Sequence, residues 1–425
     1  MTSSSPKISI CIVTWNNEAT LEPLLRSIHT YLPPDLCETF VVDNASSDKT
    51  AEIAKSFPWV HFTQNSENRY YAAANNQVFE KARGEFVLIL NPDTCFVEDS
   101  LTPLVKMLRE DPGLGAVTCQ LRYPDGRIQK FCRNFPRFST ELFLAAGLDK
   151  KYPRDQQTTA YTMDWWDFKG ERDVEQPPGA CLLVRKDLLD SLGGFDERFP
   201  MFFNDVDLCL RIHQAGYRIR YTDNTRIVHH LSGSLKQVYA WSLLQMEKSK
   251  KEYFKKHSPL LFEMYSFLQI APPEAFRESL PDFRNQKTLL IASSFLEQLK
   301  RVLSHFDKDA PSILCKPSQK DALKEYSQKW IVTEPRHGLF HPDSIEPETL
   351  RRLRSEHWDN VLIPCANVDG FGYANVLCLA SSVNTKKILV VNVCDHILEI
   401  QGCWQTRFKP RSILALAEML YRMKK

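Results

Sequence analysis

The chain has 425 residues, too many for one average domain and comfortable for two. Hydrophobic residues make up 43% and charged residues 25%, an ordinary globular mixture, and a formal net charge of +2 gives no electrostatic case for nucleic acid as the main partner. No apolar run reaches the roughly 20 residues needed to span a bilayer, and the opening MTSSSPK lacks the apolar stretch of a signal peptide, so a cytoplasmic location is expected.

In chain order, KISICIVTW reads as a buried strand, and EATLEPLLRSIHTYL as a helix carrying Leu21, Leu24, Leu25 and Ile28 on one face and ending at PPD. ETFVVDN is a second strand, after which Ser46 or Ser47 can cap a helix over DKTAEIAKSF. WVHFTQN is a third strand, AAANNQVFEKARG a helix up to Gly84, and EFVLILNPD a fourth strand. Strands alternating with helices predict a mainly parallel sheet in an α/β domain. Ligands bind such sheets beyond the carboxyl ends of the strands. There the polar ends TWNN, DNASSD and NPDT gather on one rim. One polar strand end is ordinary turn chemistry; three on one rim make a candidate site.

Residues 120–178 are irregular and aromatic, and read as loops and short elements over the rim. PPGACLLVRKDLLDSLGGFDERF returns to strand, helix and glycine turn. In FFNDVDLCLRIHQAGY, Asp207 and Arg211 fall one helical turn apart. A strand and the His-rich loop VHHLSGS follow, then a basic helical stretch from 236 to 270. Pro272, Pro273 and Pro281 mark a linker, after which KTLLIASS, SILCKP, KWIVTEP, DNVLIPCANV and KKILVVNV restart the strand–helix alternation. The expected division is therefore 1–270 and 285–425, with the first part able to work alone. The 12 cysteines include no CxxC pair, which argues against a thiolate zinc site; Cys11 and Cys181, inside apolar runs, read as buried free thiols.

Residues 7 to about 257 resemble a family 2 glycosyltransferase of the rhamnosyltransferase-like branch. The resemblance rests on ISICIVTWNN, VVDNASSDKT, NNQVFEKARGEFVLILNPDT, GACLLVRKDLLDSLGGFDERF, FFNDVDLCLR and VHHLSGS, in the family's order and approximate spacing. It implies the GT-A nucleotide-diphospho-sugar transferase fold, with a smaller Rossmann-like α/β domain after it. It also implies a nucleotide-sugar donor, a divalent metal and inversion at the anomeric carbon.

Residue by residue, the resemblance makes Asp93 of NPDT a metal ligand, with Asn91 in place of the first carboxylate of the family's DXD motif. His229 of VHHLSGS completes the metal or diphosphate site. A hard divalent cation, Mn2+ or Mg2+, suits a departing diphosphate because it neutralises the developing charge. Asp205 matches the family's general base, a carboxylate that takes the acceptor's proton; Asn204 stands where the family has Glu. Asp43 matches the residue that accepts the N3 proton of a uracil or thymine base, with Thr14, Asn16 and Asn44 in the same pocket; the donor is a dTDP- or UDP-sugar. Tyr70 stands where relatives usually carry Gly, and its ring would reshape the donor pocket. Gly179 implies close backbone approach to sugar or acceptor. Asp48 reads as a cap or loop support, Asp207 as either a structural partner of Arg211 or a catalytic group, and Trp165 and Trp166 as either a stacking surface or core.

The expected function is sugar transfer, rhamnose or hexose, to a glycan or lipid-linked acceptor in cell-surface polysaccharide synthesis. The alternative is a degenerate transferase that binds a glycan or scaffolds a complex. For Lys248, Lys250, Lys251, Lys255 and Lys256 the plain reading is a solvated helix face; the alternative is contact with the anionic inner face of a membrane. The second domain shows no comparable motif: Asp369 and His396 read as turn residues, and acceptor positioning or homo-oligomer formation are the roles left to it.

Overall fold

The computed structural model describes residues 7–33, 35–231, 239–265, 268, 281, 283, 286–306, 311–366, 372–392, 397–400 and 410–423. Most of the proline linker, and Asp369 and His396, lie outside the described residues. The chain forms two compact units, one of residues 1–135 with 160–256, the other of 136–159 with 257–425.

The first unit is built on a nine-stranded sheet. Its strands are β1 (Ile8–Thr14), β2 (Cys37–Asp43), β3 (Val60–Gln64), β4 (Phe86–Leu90), β5 (Thr94–Phe96), β6 (Leu114–Arg122), β7 (Arg172–Asp173), β8 (Cys181–Arg185) and β9 (Arg218–His229). The order is β3-β2-β1-β4-β8-β6-β9-β5, with β7 on β9. β1 to β4 are mutually parallel where they pair, β8 is antiparallel to β4 and β6, and β9 runs parallel to β6. Every residue of β1 and β4 is buried, which is why both read as unbroken apolar runs rather than alternating ones. Leu21, Leu24, Leu25 and Ile28 of the helix Glu18–Tyr31 pack into the same core as Ile8, Ile10, Ile12, Leu88 and Leu90. Each such side chain contributes about 1.5–3 kcal/mol by leaving water.

The second unit has a six-stranded sheet of β10 (Thr288–Ile291), β11 (Ser312–Cys315), β12 (Trp330–Val332), β13 (His357–Pro364), β14 (Asn384–Val391) and β15 (Ile397–Ile400). Counted within the unit, its order is 3-2-1-4-5-6, the doubly wound order, with only β15 antiparallel. Leu290, Leu299, Val302, Ile313, Leu362 and Leu389 lie in its core.

The α/β class read from the sequence is thus present in both units. The division differs in two respects from the expected 1–270 and 285–425: the second unit begins at residue 257, and it takes in an earlier segment. Residues 136–159, expected as irregular cover, contain the helices Phe138–Ala145 and Leu148–Lys151 and belong to the second unit. There the Asn375 side chain donates to the Ala146 carbonyl at 2.9 Å, Tyr152 stacks on Tyr421, and Lys151 pairs with Glu418. These partners lie more than 200 residues away in sequence, beyond any local pattern.

Candidate active site

The polar strand ends do meet. β1 runs out into Trp15 and Asn17, β2 into Asn44, and β4 into Asn91, Pro92 and Asp93; with Gly179, Asp205, His229 and the side chains between them they enclose a cleft of about 380 Å3. It lies beyond the carboxyl ends of β1 and β4, as expected for a parallel α/β sheet. Thr14, Asn44, Asn91, Asp93, Gly179, Asp205 and His229 line it; Asn16 and Asp43 do not reach its wall.

Asp43 is fully buried, and its own loop satisfies it. Thr14 Oγ1 donates to Oδ1 at 3.2 Å and Ser46 Oγ to the same oxygen; the Ser46 N–H and Gln64 Nε2 donate to Oδ2 at 3.2 and 3.4 Å. Asn16, left-handed at φ 55°, accepts from Ser47 N at 2.8 Å. Ser46 and Ser47 therefore build the loop instead of capping the helix Thr50–Lys55. Asp48 supports the helix start from one residue before its N-cap, Lys49: its Oδ1 accepts from Thr50 N at 3.0 Å, and its Oδ2 ties in Glu18 N at 3.1 Å. Four donors, Thr50 Oγ1, Thr50 N, Glu18 N and its own N–H, hold that carboxyl below the ordinary range despite partial desolvation.

Asn44 crosses from β2 to the next wall, donating to the Tyr70 carbonyl at 3.0 Å. Tyr70 has φ 60°, left-handed backbone that a bulky residue adopts only at a cost. A glycine would take that conformation freely. Its ring is 41% exposed and stands in the cleft wall. Tyr71 lies beneath, its hydroxyl 3.2 Å from Asn91 Oδ1 and 3.4 Å from the Gly179 carbonyl, and burial pushes its pKa far up. Asp205 and Asp93 both add to that rise, so the two carboxylates act on one hydroxyl.

Asp93 and His229 face each other, Oδ1 to Nε2 at 3.2 Å. The pairing of β5 with β9 fixes them: His229 is opposite Thr94, and His230 N donates to the Asp93 carbonyl at 2.8 Å. His230 is exposed, so of the two histidines it is His229, 5% exposed, that faces the carboxylate. Among the described residues no set of three or more His, Cys, Asp or Glu side chains forms a metal site, so protein could supply this pair and little else.

Asp205 opens the helix Asn204–Gln214, just after Phe203 at φ 66°. Its Oδ2 accepts from Gly179 N at 3.1 Å and its Oδ1 from Val206 N at 2.9 Å. Burial nevertheless raises its pKa above the ordinary carboxylate value, outweighing those two bonds. The close approach inferred at Gly179 is therefore to Asp205: a methyl group there would sit 3.2 Å from the Asp205 Cβ. Asn204 is 2% exposed and turns inward, with Nδ2 3.3 Å from the Phe199 carbonyl and Oδ1 accepting from Asp205 N at 2.8 Å.

Asp207, fully buried, pairs with Arg211 at 2.7 Å as its spacing implied, and also with Lys256 at 2.5 Å. Lys256 further holds Asp196 at 2.7 Å, so one of the five lysines of the basic helix is a half-buried strut. Trp166 is core: it is 5% exposed, stacks on Phe168 at 4.1 Å, and shares the Arg172 guanidinium with Trp165. Neither tryptophan lines the cleft.

Phe131, Met201, Phe202, Phe203 and Leu231 supply an apolar wall that sequence reading did not single out. It also missed Gln129, which is 3% exposed and bonded to His229 twice. The only signal in the sequence was the YPDGR turn just before it.

Residues 9–161 match the family model for glycosyl transferase family 2. An N-acetylglucosaminyl-diphospho-decaprenol L-rhamnosyltransferase of Mycobacterium tuberculosis is 28% identical over 302 residues, 67% of this chain and 97% of its own. The rhamnosyltransferase WbbL of Escherichia coli is 23% identical over 232 residues, 52% of this chain and 83% of its own. A solved mannosyltransferase from Pyrobaculum calidifontis, in complex with GDP-Man and Mn2+, aligns over 62% of this chain and 70% of its own, with 22% identity and a TM-score of 0.43. So loose a superposition carries no argument, and the fold rests on the strand order above. Residues 9–161 thus carry a glycosyl transferase family 2 domain, and the similarity to rhamnosyltransferases together with the strand order supports a GT-A glycosyltransferase of the rhamnosyltransferase-like kind as the first unit.

Proposed function

We propose that the first unit is an inverting, metal-dependent transferase that moves rhamnose or a hexose from a dTDP- or UDP-sugar to a glycan or lipid-linked acceptor in cell-surface polysaccharide synthesis. One observation carries the reading: a single cleft holds the Asp93–His229 pair and, separately, a desolvated Asp205. In this assignment Asp93 and His229 hold a divalent cation, which when bound neutralises the leaving diphosphate. Their 3.2 Å separation suits it, since neighbouring ligands of an octahedral ion at about 2.1 Å stand about 3 Å apart.

Asp205 removes the acceptor hydroxyl's proton. Its raised pKa makes it a stronger base than an exposed aspartate, and Gly179 N and Val206 N keep its oxygens in place. The buried Asp43 loop forms the floor of the base pocket, with Thr14 and Asn44 at the cleft surface. The lipid-linked acceptor is suggested by the name of the mycobacterial relative. Among the described residues no helix is long and apolar enough to cross a membrane, so the proposed meeting with a lipid-linked acceptor is peripheral, at the cytoplasmic face. Nucleotide-sugar hydrolysis and transfer, measured over a panel of donors with and without Mn2+ or Mg2+, test the proposal. Turnover that ignores the cation, or that survives Asp205→Asn unchanged, overturns it.

A further inference from the structure

We infer that Gln129 is a positioning residue that presents the His229 imidazole to the cation; this rests on the proposed role of Asp93 and His229. After β6 the chain turns through Tyr123–Gly126, with Tyr123 N donating to the Arg127 carbonyl at 2.9 Å. It returns alongside β6, and Gln129 N donates to the Leu121 carbonyl at 2.9 Å. Leu121 is paired in register with Ile227 on β9, so the turn delivers Gln129 beside His229.

The side chain then bonds twice. Gln129 Nε2 lies 2.6 Å from the His229 carbonyl oxygen, and Oε1 lies 2.9 Å from His229 Nδ1. A carbonyl oxygen only accepts, so the amide NH2 must face it, and Oε1 must then face the ring. Oε1 is itself an acceptor, so Nδ1 carries the hydrogen. With the hydrogen on Nδ1, Nε2 is the ring atom turned to Asp93 Oδ1, 3.2 Å away. Those two atoms can share a cation, or in its absence a proton. Gln129 thus fixes both the rotation and the tautomer that metal binding needs, the task of the group behind a metal-bound histidine.

The test uses the full chain with Mn2+, alone and with UDP. Isothermal titration gives Mn2+ affinity, and pulsed electron paramagnetic resonance reads 14N coupling from an imidazole bound to Mn2+. Wild type should show that coupling and His229→Ala should lose it. Gln129→Met, of similar length, and the milder Gln129→Asn, too short to reach the ring, should weaken Mn2+ binding about 10- to 100-fold and diminish the coupling. Binding of UDP without Mn2+ should stay at the wild-type level, which a general loss of structure would not allow. If either folded variant keeps full coupling and unchanged Mn2+ affinity while His229→Ala loses both, Gln129 has no such role and the metal assignment stands. If wild type itself shows no 14N coupling, the His229 assignment fails and this inference falls with it.

Discussion

Gly179→Ala isolates the placement of Asp205 from its chemistry. The added methyl would lie 3.2 Å from Asp205 Cβ and 3.3 Å from Oδ2, and the backbone at 179 is outside the left-handed region, so contact is the whole perturbation. Relief requires Asp205 to retreat by a few tenths of an ångström, lengthening its 3.1 Å bond from Gly179 N. If a misplacement of about 1 Å costs about 100-fold, a retreat of ~0.3–0.5 Å should cost roughly 4- to 10-fold in turnover. Removing the base outright by Asp205→Asn should cost about 100- to 10,000-fold. Initial rates at saturating donor and acceptor, with calorimetric donor binding alongside, would show a lower kcat at nearly unchanged donor affinity. Wild-type kcat in folded Gly179→Ala would mean that the position of Asp205 does not limit the reaction, and the base assignment would lose its geometric support.

Other outcomes follow from the same geometry. Because Asp205 is more basic in the folded chain than when unfolded, its contribution to stability is fully present below the unfolded pKa and lost as pH rises through the folded one; urea melts across that range should show the Asp205→Asn variant gaining on wild type as pH rises, and parallel curves would refute this. Turnover should fall as acid protonates Asp205, and the acid limb should vanish in the residual activity of Asp205→Asn. Tyr70→Gly should remove a left-handed strain of about 1–2 kcal/mol, partly offset by glycine's greater freedom when unfolded, and should change donor preference in a nucleotide-sugar panel; identical preference would remove Tyr70 from the donor wall. Lys256→Met removes one cation from Asp207, which keeps Arg211, and from Asp196, which keeps Arg198, and should destabilise the first unit by about 1.5–3 kcal/mol in thermal or urea melts, whereas Lys255→Met, on the exposed face, should change little.

What the sequence made legible was the periodic part. Leu21, Leu24, Leu25 and Ile28, and the unbroken runs of β1 and β4, report burial directly, and strand–helix alternation puts the polar ends on one rim. Asp48 as support of the loop and helix start and Asp207 with Arg211 were readable because both are local, two and four residues from Thr50 and Arg211. The bonds of Asp207 to Lys256 and of Gln129 to His229 span 49 and 100 residues, and no spacing rule reaches so far. Asp43 shows a different limit: its identity was plain, but only the coordinates reveal that Thr14, Ser46 and Gln64 already occupy its oxygens.

The excursion at 136–159 has a consequence for how the molecule is made. Leu142, Phe143, Ala145 and Leu148 are buried in the second unit, whose remaining residues begin at 257. A ribosome adding about 5–20 residues per second would only begin to deliver the rest of that unit roughly 5–20 seconds after this segment, and would reach Asn375, Glu418 and Tyr421 after roughly 10–55 seconds. Meanwhile the nascent chain carries an apolar hairpin with nothing to cover it, a natural client for a chaperone. A gene cut at residue 270 would make that exposure permanent, so such a fragment should precipitate unless 136–159 is replaced by a short polar bridge. Where the stop codon falls, rather than the catalytic inventory upstream of it, would decide whether a shortened version of this enzyme can be produced at all.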